Sequence, residues 1–198
     1  TLRDDGLMIK LDAAGNIYVS GFFQGPAVDF DPGPGSYTLN SANGTAFVAK
    51  FTNAGTVIWA LNVGAADTDN VIYDFQLDAS GNVIICGFFQ GTQIDFDPSP
   101  AATAYLDCNG AYDLFVAKYD PGGNYIWAFN IGSFENDVAR GMALDAAGNI
   151  YVFGDFTGTV DFDPGPGTHD LVSNGSSDIF LARFTPGGQL TWAFGAGS

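Results

Sequence analysis

The 198-residue chain is 46% hydrophobic and 15% aromatic, enough apolar material for a packed core and too much for disorder. Six basic residues face 22 acidic ones, a net charge of −16, which argues against nucleic acid and against anionic membrane surfaces, since both need Lys and Arg. No stretch approaches the roughly 20 apolar residues that span a bilayer. The acidity instead suits solubility and divalent cations.

In chain order, Leu7–Leu11 leads into the turn Asp12-Ala-Ala-Gly-Asn16, rich in residues that take positive φ or bond their own backbone, and Ile17–Phe23 returns as the second strand of a hairpin. A short run, Ala27-Val-Asp-Phe-Asp31, is stopped by Pro32-Gly-Pro-Gly35. A second hairpin follows: Ala46–Phe51, the turn Thr52–Gly55, then Val57–Val63. The whole pattern recurs from Leu77 and Leu144, 66 and 67 residues further on each time, with the turns Asp78–Asn82 and Asp145–Asn149. A fixed period of this size predicts a repeat architecture. Strands with apolar residues on both faces predict sheets sandwiched between neighbours. Four principal strands per period predict an all-β chain of antiparallel four-stranded, propeller-type blades.

The units run from about 11 to 76, 77 to 143, and 144 to 198, the last continuing in phase into residues 1–10 of a following copy. Residues 1–198 are therefore expected to be one array of three periods, a window on a longer open or closed array.

Asp-Ala-Ala-Gly-Asn-Ile-Tyr-Val with Gly21 after it, and Asp113-Leu-Phe-Val-Ala-Lys-Tyr-Asp-Pro-Gly-Gly-Asn-Tyr-Ile-Trp-Ala128, carry a resemblance along the whole chain. They resemble the bacterial β-propeller repeat of large secreted and surface proteins, often described as seven-bladed. That resemblance implies blades and an extracellular or cell-surface setting. The chain departs from the pattern in its Asp-Phe-Asp-Pro-Gly-Pro-Gly insertion and in having three units, where closed propellers have four to eight.

The recurring acids are the candidate site residues. Asp29 and Asp31, Asp95 and Asp97, and Asp161 and Asp163 lie two apart on strand-like runs. Alternation puts each pair on one face, with Val28 and Phe30 on the other. Paired carboxylates repel unless a cation intervenes, so Ca²⁺, with backbone carbonyls of the Pro-Gly turn, is the expected ligand. The competing expectation is that these acids end edge strands and cap turns. A second cluster, Asp4 and Asp5, Asp67 and Asp69, Glu135 and Asp137, supplies possible additional metal ligands.

Lys50, Lys118 and Arg183, one per unit, are expected to pair with nearby carboxylates, and Trp59, Trp127 and Trp192 to pack in the core. Cys86 and Cys108, both in the second unit, read either as a disulfide, which would place the chain in an oxidising compartment, or as two independent buried thiols. Asn43-Gly-Thr45 and Asn174-Gly-Ser176 match the glycosylation acceptor pattern. His169 stands alone in a loop, with no nucleophile elbow or histidine cluster beside it, so no enzyme is expected.

These features predict a structural segment of an extracellular bacterial filament or surface protein that self-associates with further copies of the repeat and is stabilised by calcium. The alternative is a closed propeller that binds glycan or protein. A glycosidase would need one unequal acid pair in a pocket, and identical pairs in triplicate fit that poorly.

Overall fold

The computed structural model describes residues 3–64 and 70–198. Its three principal sheets each come from one continuous stretch of chain. The first holds β1 (Asp5–Leu11), β2 (Ile17–Asp29), β3 (Thr38–Phe51) and β4 (Val57–Val63). The second holds β5 (Val71–Leu77) and β6 (Val83–Phe89), then, after the two-stranded ribbon β7 (Ile94–Asp95) and β8 (Tyr105–Leu106), β9 (Asp113–Tyr119) and β10 (Tyr125–Ile131). The third repeats this with β11 (Val138–Leu144) and β12 (Ile150–Phe156), the ribbon β13 (Thr159–Asp161) and β14 (Asp170–Val172), and β15 (Asp178–Phe184) and β16 (Leu190–Ala196). Every sheet is an antiparallel meander, so the all-β, four-stranded units read from the sequence are present.

The hairpin turns form for local reasons. In the first, Asp12 N–H bonds the Asn16 carbonyl and Gly15 N–H bonds the Asp12 carbonyl, with Gly15 at φ +81°. Only glycine takes that conformation without strain. Gly81 and Gly148 occupy the same place at φ +79°. A second glycine requirement lies inside the sheets. The first strand of each bulges, between Gly6 and Met8, Ile72 and Asp74, and Ala139 and Gly141. The bulge drives a carbonyl of that strand (Asp5, Val71 or Val138) onto Gly21, Gly87 or Gly154, where a Cβ would collide with it.

The sheets stack face to face. One core lies between the first and second: Tyr18, Val48, Trp59 and Leu61 from one side meet Phe75, Ile85, Phe115 and Tyr119 from the other. The next core joins Ile84, Cys86, Leu114 and Val116 of the second sheet to Met142, Ile150, Val152 and Phe180 of the third. Strand alternation therefore sends successive residues of β6 and β9 into different cores. The stack does not close on itself. Ile9 and Leu11 on the first sheet and Phe153, Ile179 and Phe194 on the third remain exposed.

The Asp-Phe-Asp insertion covers one face of its own sheet. Phe30 packs edge-on against Phe23 and Phe47, with ring centroids 5.4 and 4.9 Å away. Phe96 meets Phe89 and Phe115 at 5.5 and 5.1 Å, and Phe162 meets Phe156 and Phe180 at 5.6 and 4.9 Å. In the second unit the Tyr119 hydroxyl also donates to the Phe96 carbonyl at 3.0 Å.

Candidate functional site: the joint between units

The joint begins at the first turn of each unit. Asp12 Oδ1 accepts the amides of Ala14 and Asn16 at 2.9 and 2.8 Å, and its Oδ2 accepts Asn16 Nδ2 at 2.8 Å. Asp78 with Asn82 and Asp145 with Asn149 repeat the arrangement. Each turn carboxylate faces the recurring cation of its own unit: Lys50 Nζ lies 3.8 Å from Asp12, Lys118 Nζ 2.9 Å from Asp78, and Arg183 Nη2 3.9 Å from Asp145. The expected pairing of these cations is thus present in every unit.

Each cation also stands beside a tryptophan, because the register places Lys50 opposite Trp59, Lys118 opposite Trp127, and Arg183 opposite Trp192. In the first two units this pair reaches across to the next sheet. Lys50 Nζ and Trp59 Nε1 both donate to the Pro121 carbonyl, at 3.2 and 3.0 Å. Lys118 Nζ donates to the equivalent Pro186 carbonyl at 3.5 Å. The glycine two residues beyond each proline is the seat for the ring: a Cβ on Gly123 would stand 3.0 Å from Trp59, and one on Gly188 3.6 Å from Trp127. The joint is therefore a charge-assisted latch beside an apolar contact. In the first latch Trp59 serves both parts, as expected of a core aromatic whose N–H needs a partner.

The electrostatics follow from these contacts. For Asp12 the Asn16 side-chain hydrogen bond leads in holding the carboxyl below the usual range. For Asp78 burial pushes upward as the largest single effect, but the Asn82 and Lys118 contacts together outweigh it and leave the carboxyl lowered. A further tie joins the second and third units: Asp74 Oδ2 accepts the Met142 amide, and Gln76 Nε2 donates to the Met142 carbonyl, both at 3.0 Å. Neither position is repeated, since Met8 and Lys10 stand there in the first unit and Gly141 and Ala143 in the third. Sequence reasoning built on recurrence therefore missed them.

The Asp-Phe-Asp pairs are engaged in holding their own loops. Asp29 Oδ1 accepts the amides of Asp31 and Tyr37 at 2.9 and 2.8 Å, and Asp31 Oδ1 accepts that of Gly33 at 2.8 Å. Asp95 takes Asp97 and Ala104, and Asp97 takes Ser99. Asp161 takes Asp163 and His169, and Asp163 takes Gly165. The Tyr37 amide leads in lowering the Asp29 carboxyl. Among the described residues no group of three His, Cys, Asp or Glu side chains comes together to hold a metal.

Among the described residues, those of the second acidic cluster form no such group either. Buried Asp137 staples the segment before β11 to the end of β12. Its Oδ2 accepts the Ser133 amide and hydroxyl at 2.6 and 3.0 Å, and its Oδ1 accepts the Thr157 amide at 2.9 Å. Burial raises its carboxyl. Glu135 is exposed, Asp4 accepts the Gln24 amide at 3.2 Å, and Asp5 pairs with Arg3. Asp67 and Asp69 lie outside the described residues.

The disulfide reading is corrected by the structure: Cys86 and Cys108 are free thiols. Cys86 lies in the core between the second and third sheets, whereas Cys108 packs against the core between the first and second. The two side chains sit on opposite sides of one sheet. Cys108 Sγ instead lies 3.3 Å from Asp113 Oδ1, and burial pushes both thiols upward. Asp113 recurs as Asp178 in the third unit, which accepts the Asn174 amide at 3.1 Å. Asp113 itself accepts from Asn109 and Asn130, and its counterpart in the first unit is Thr45.

No protein-family model matches the chain. It is 27% identical over 232 aligned residues to an uncharacterized WD repeat-containing protein of Acanthamoeba polyphaga mimivirus, covering 96% of this chain and 17% of that protein. It is 25% identical over 144 residues to the regulatory protein FlaEY of Caulobacter vibrioides, covering 71% of this chain and 14% of that protein. The chain is a distant relative of both. It spans less than a fifth of either, so what those whole proteins do does not transfer to it.

Proposed function

We infer that the chain is a structural run of repeats, a scaffold segment of a larger protein. One observation carries this: the residues that recur in every unit are spent on building the unit and latching it to the next. The Asp-Asn turn, the cation, the tryptophan and the Asp-Phe-Asp loop all have such roles. A recognition face or an active site would instead set one unit apart from its equivalents. Stacked units of this kind gain stability from each neighbour contact. A filament or surface location outside the cell belongs to the same proposal, supported by the net charge of −16 and by the resemblance to secreted repeats.

For calcium at the Asp-Phe-Asp pairs, the support is threefold recurrence and charge. Against it, each site offers two carboxylates already committed to backbone amides, which is a poor fit to a cation wanting six to eight oxygens. Melting with and without EGTA separates the two: an amide-held loop leaves the Tm unchanged, and an ion-held loop lowers it.

One observation favours recognition as a second reading. An open cleft of about 980 Å³ lies between the first and second units, with Tyr37, Trp59, Asp95, Asp97 and Tyr125 on its walls. Aromatic rings beside carboxylates suit a sugar. A glycan array decides: a scaffold shows no selective binding, and one tightly bound glycan class lost on Tyr125→Ala would overturn the scaffold proposal.

A further inference from the structure

We propose that the cleft between the first and second units docks an extended, basic peptide segment of a partner protein, which adds a strand beside Thr38 and sets a Lys or Arg side chain against Asp95 and Asp97. This goes beyond the scaffold reading and does not depend on it. The walls of the cleft are built from residues that do not recur. Leu61 stands where Phe129 stands in the second unit, and Phe129 fills its own joint by packing on Phe184 at 5.0 Å. Tyr125 stands where the first and third units have Val57 and Leu190. The insertion of the second unit is also one residue longer than its equivalents: Asp95 accepts the amide nine residues on, whereas Asp29 and Asp161 accept the one eight residues on.

One wall carries a free strand edge. β2 pairs with β3 from Thr38 onward, whereas β4 pairs with it only from Ala46 to Phe51. Phe30 N–H bonds the Tyr37 carbonyl, so alternation turns the N–H and carbonyl of Thr38 away from β2. The same alternation turns out the Asn40 carbonyl, which accepts Asn62 Nδ2 at 3.1 Å. Thr38 is exposed, and among the described residues no strand lies on that edge. An open edge of this kind is a template for an added strand.

The other side chains on the walls select positive charge. Asp95 and Asp97 spend Oδ1 on backbone amides, and Oδ2 of neither has a hydrogen bond or ion pair among the described residues. Burial, then the charge of Asp97 and Asp95, pushes the Tyr125 hydroxyl upward, so both carboxylates lie near that ring. Among the described residues no Lys or Arg lines the cleft. Half-buried Tyr37 and Tyr125 add aromatic rings, which attract a cation. A sugar is the weaker fit, because stacking needs an open ring and Trp59 is 6% exposed with its ring against Gly123.

The test is fluorescence anisotropy of a labelled octapeptide alternating Arg and Val, titrated with the intact chain in about 0.15 M salt to screen long-range attraction. Asp95→Asn with Asp97→Asn keeps the amide acceptors of the loop and removes the charge. Thr38→Pro removes an N–H that faces away from β2, a change an edge strand tolerates. Glu135→Gln with Asp170→Asn removes equal charge from exposed positions off the cleft. Wild type is expected to bind saturably, either cleft variant to weaken binding about tenfold or more, and the control pair to change it less than about twofold. No binding by wild type, equal weakening by the cleft and control charge pairs, or indifference to Thr38→Pro would overturn the inference. Displacement by an equal concentration of spermidine or of a glycan would overturn it too, assigning the cleft to a small polyamine or to a sugar. Loss of peptide binding leaves the scaffold proposal standing, since that falls on the glycan array.

Discussion

Lys118 has two partners at once, the Asp78 carboxylate 2.9 Å away in its own unit and the Pro186 carbonyl 3.5 Å away in the next. Lys118→Ala removes both from a buried position and is expected to cost about 1.5–3 kcal/mol, measured as a lower urea midpoint. Asp78 gives that joint a pH dependence. Its carboxyl is lowered in the folded chain, burial opposing and the Asn82 and Lys118 contacts prevailing. The stabilisation is therefore complete above the unfolded value of about 3.9 and is lost as pH falls through the lower folded value. The urea midpoint should fall below about pH 4. Asp78→Asn should start lower at neutral pH and lose less on acidification. At Gly87, where the Val71 carbonyl occupies the space of a Cβ, Gly87→Ala is expected to cost about 1–3 kcal/mol by overpacking. Gly6→Ala, with nothing within 4 Å of the added carbon, should cost far less.

At the scale of the element, the strands and turns were legible because their causes are local: Asp and Asn bracketing a positive-φ glycine, and β-rich runs on either side. The inward direction of Val28 and Phe30 was legible too, from alternation, and both pack against the outer face of the first sheet. The latch acceptors were not, since Pro121 and Pro186 act through backbone carbonyls that no side chain advertises. Nor was the parting of the cysteines. Cys86 takes its face from strand alternation, but Cys108 follows the ribbon, where chain direction is set by the insertion and not by the sheet. Mild oxidation of the folded chain is accordingly expected to leave both thiols free by mass spectrometry, and an internal Cys86–Cys108 bond would contradict the structure. The insertion itself is predicted to be a main stabilising element. Phe96→Ala, at a ring 1% exposed and packed on Phe89 and Phe115, should cost about 3–5 kcal/mol by thermal or urea unfolding.

At the scale of the whole molecule, the repeat period revealed that there are three like units, and composition revealed that both faces of each are apolar. How the units meet was not legible, because it depends on which strands of successive sheets face each other. The second sheet has a neighbouring sheet on each face, and the outer two have one on a single face. Hydrogen–deuterium exchange on the intact chain reads this difference without altering a residue. Units coupled through the latch predict that peptides from β6 and β9 exchange slowest, ahead of β2 and β3 on one side and β12 and β15 on the other. Equal protection in all three sheets would mean that each unit stands alone, and would contradict a scaffold held together by its joints.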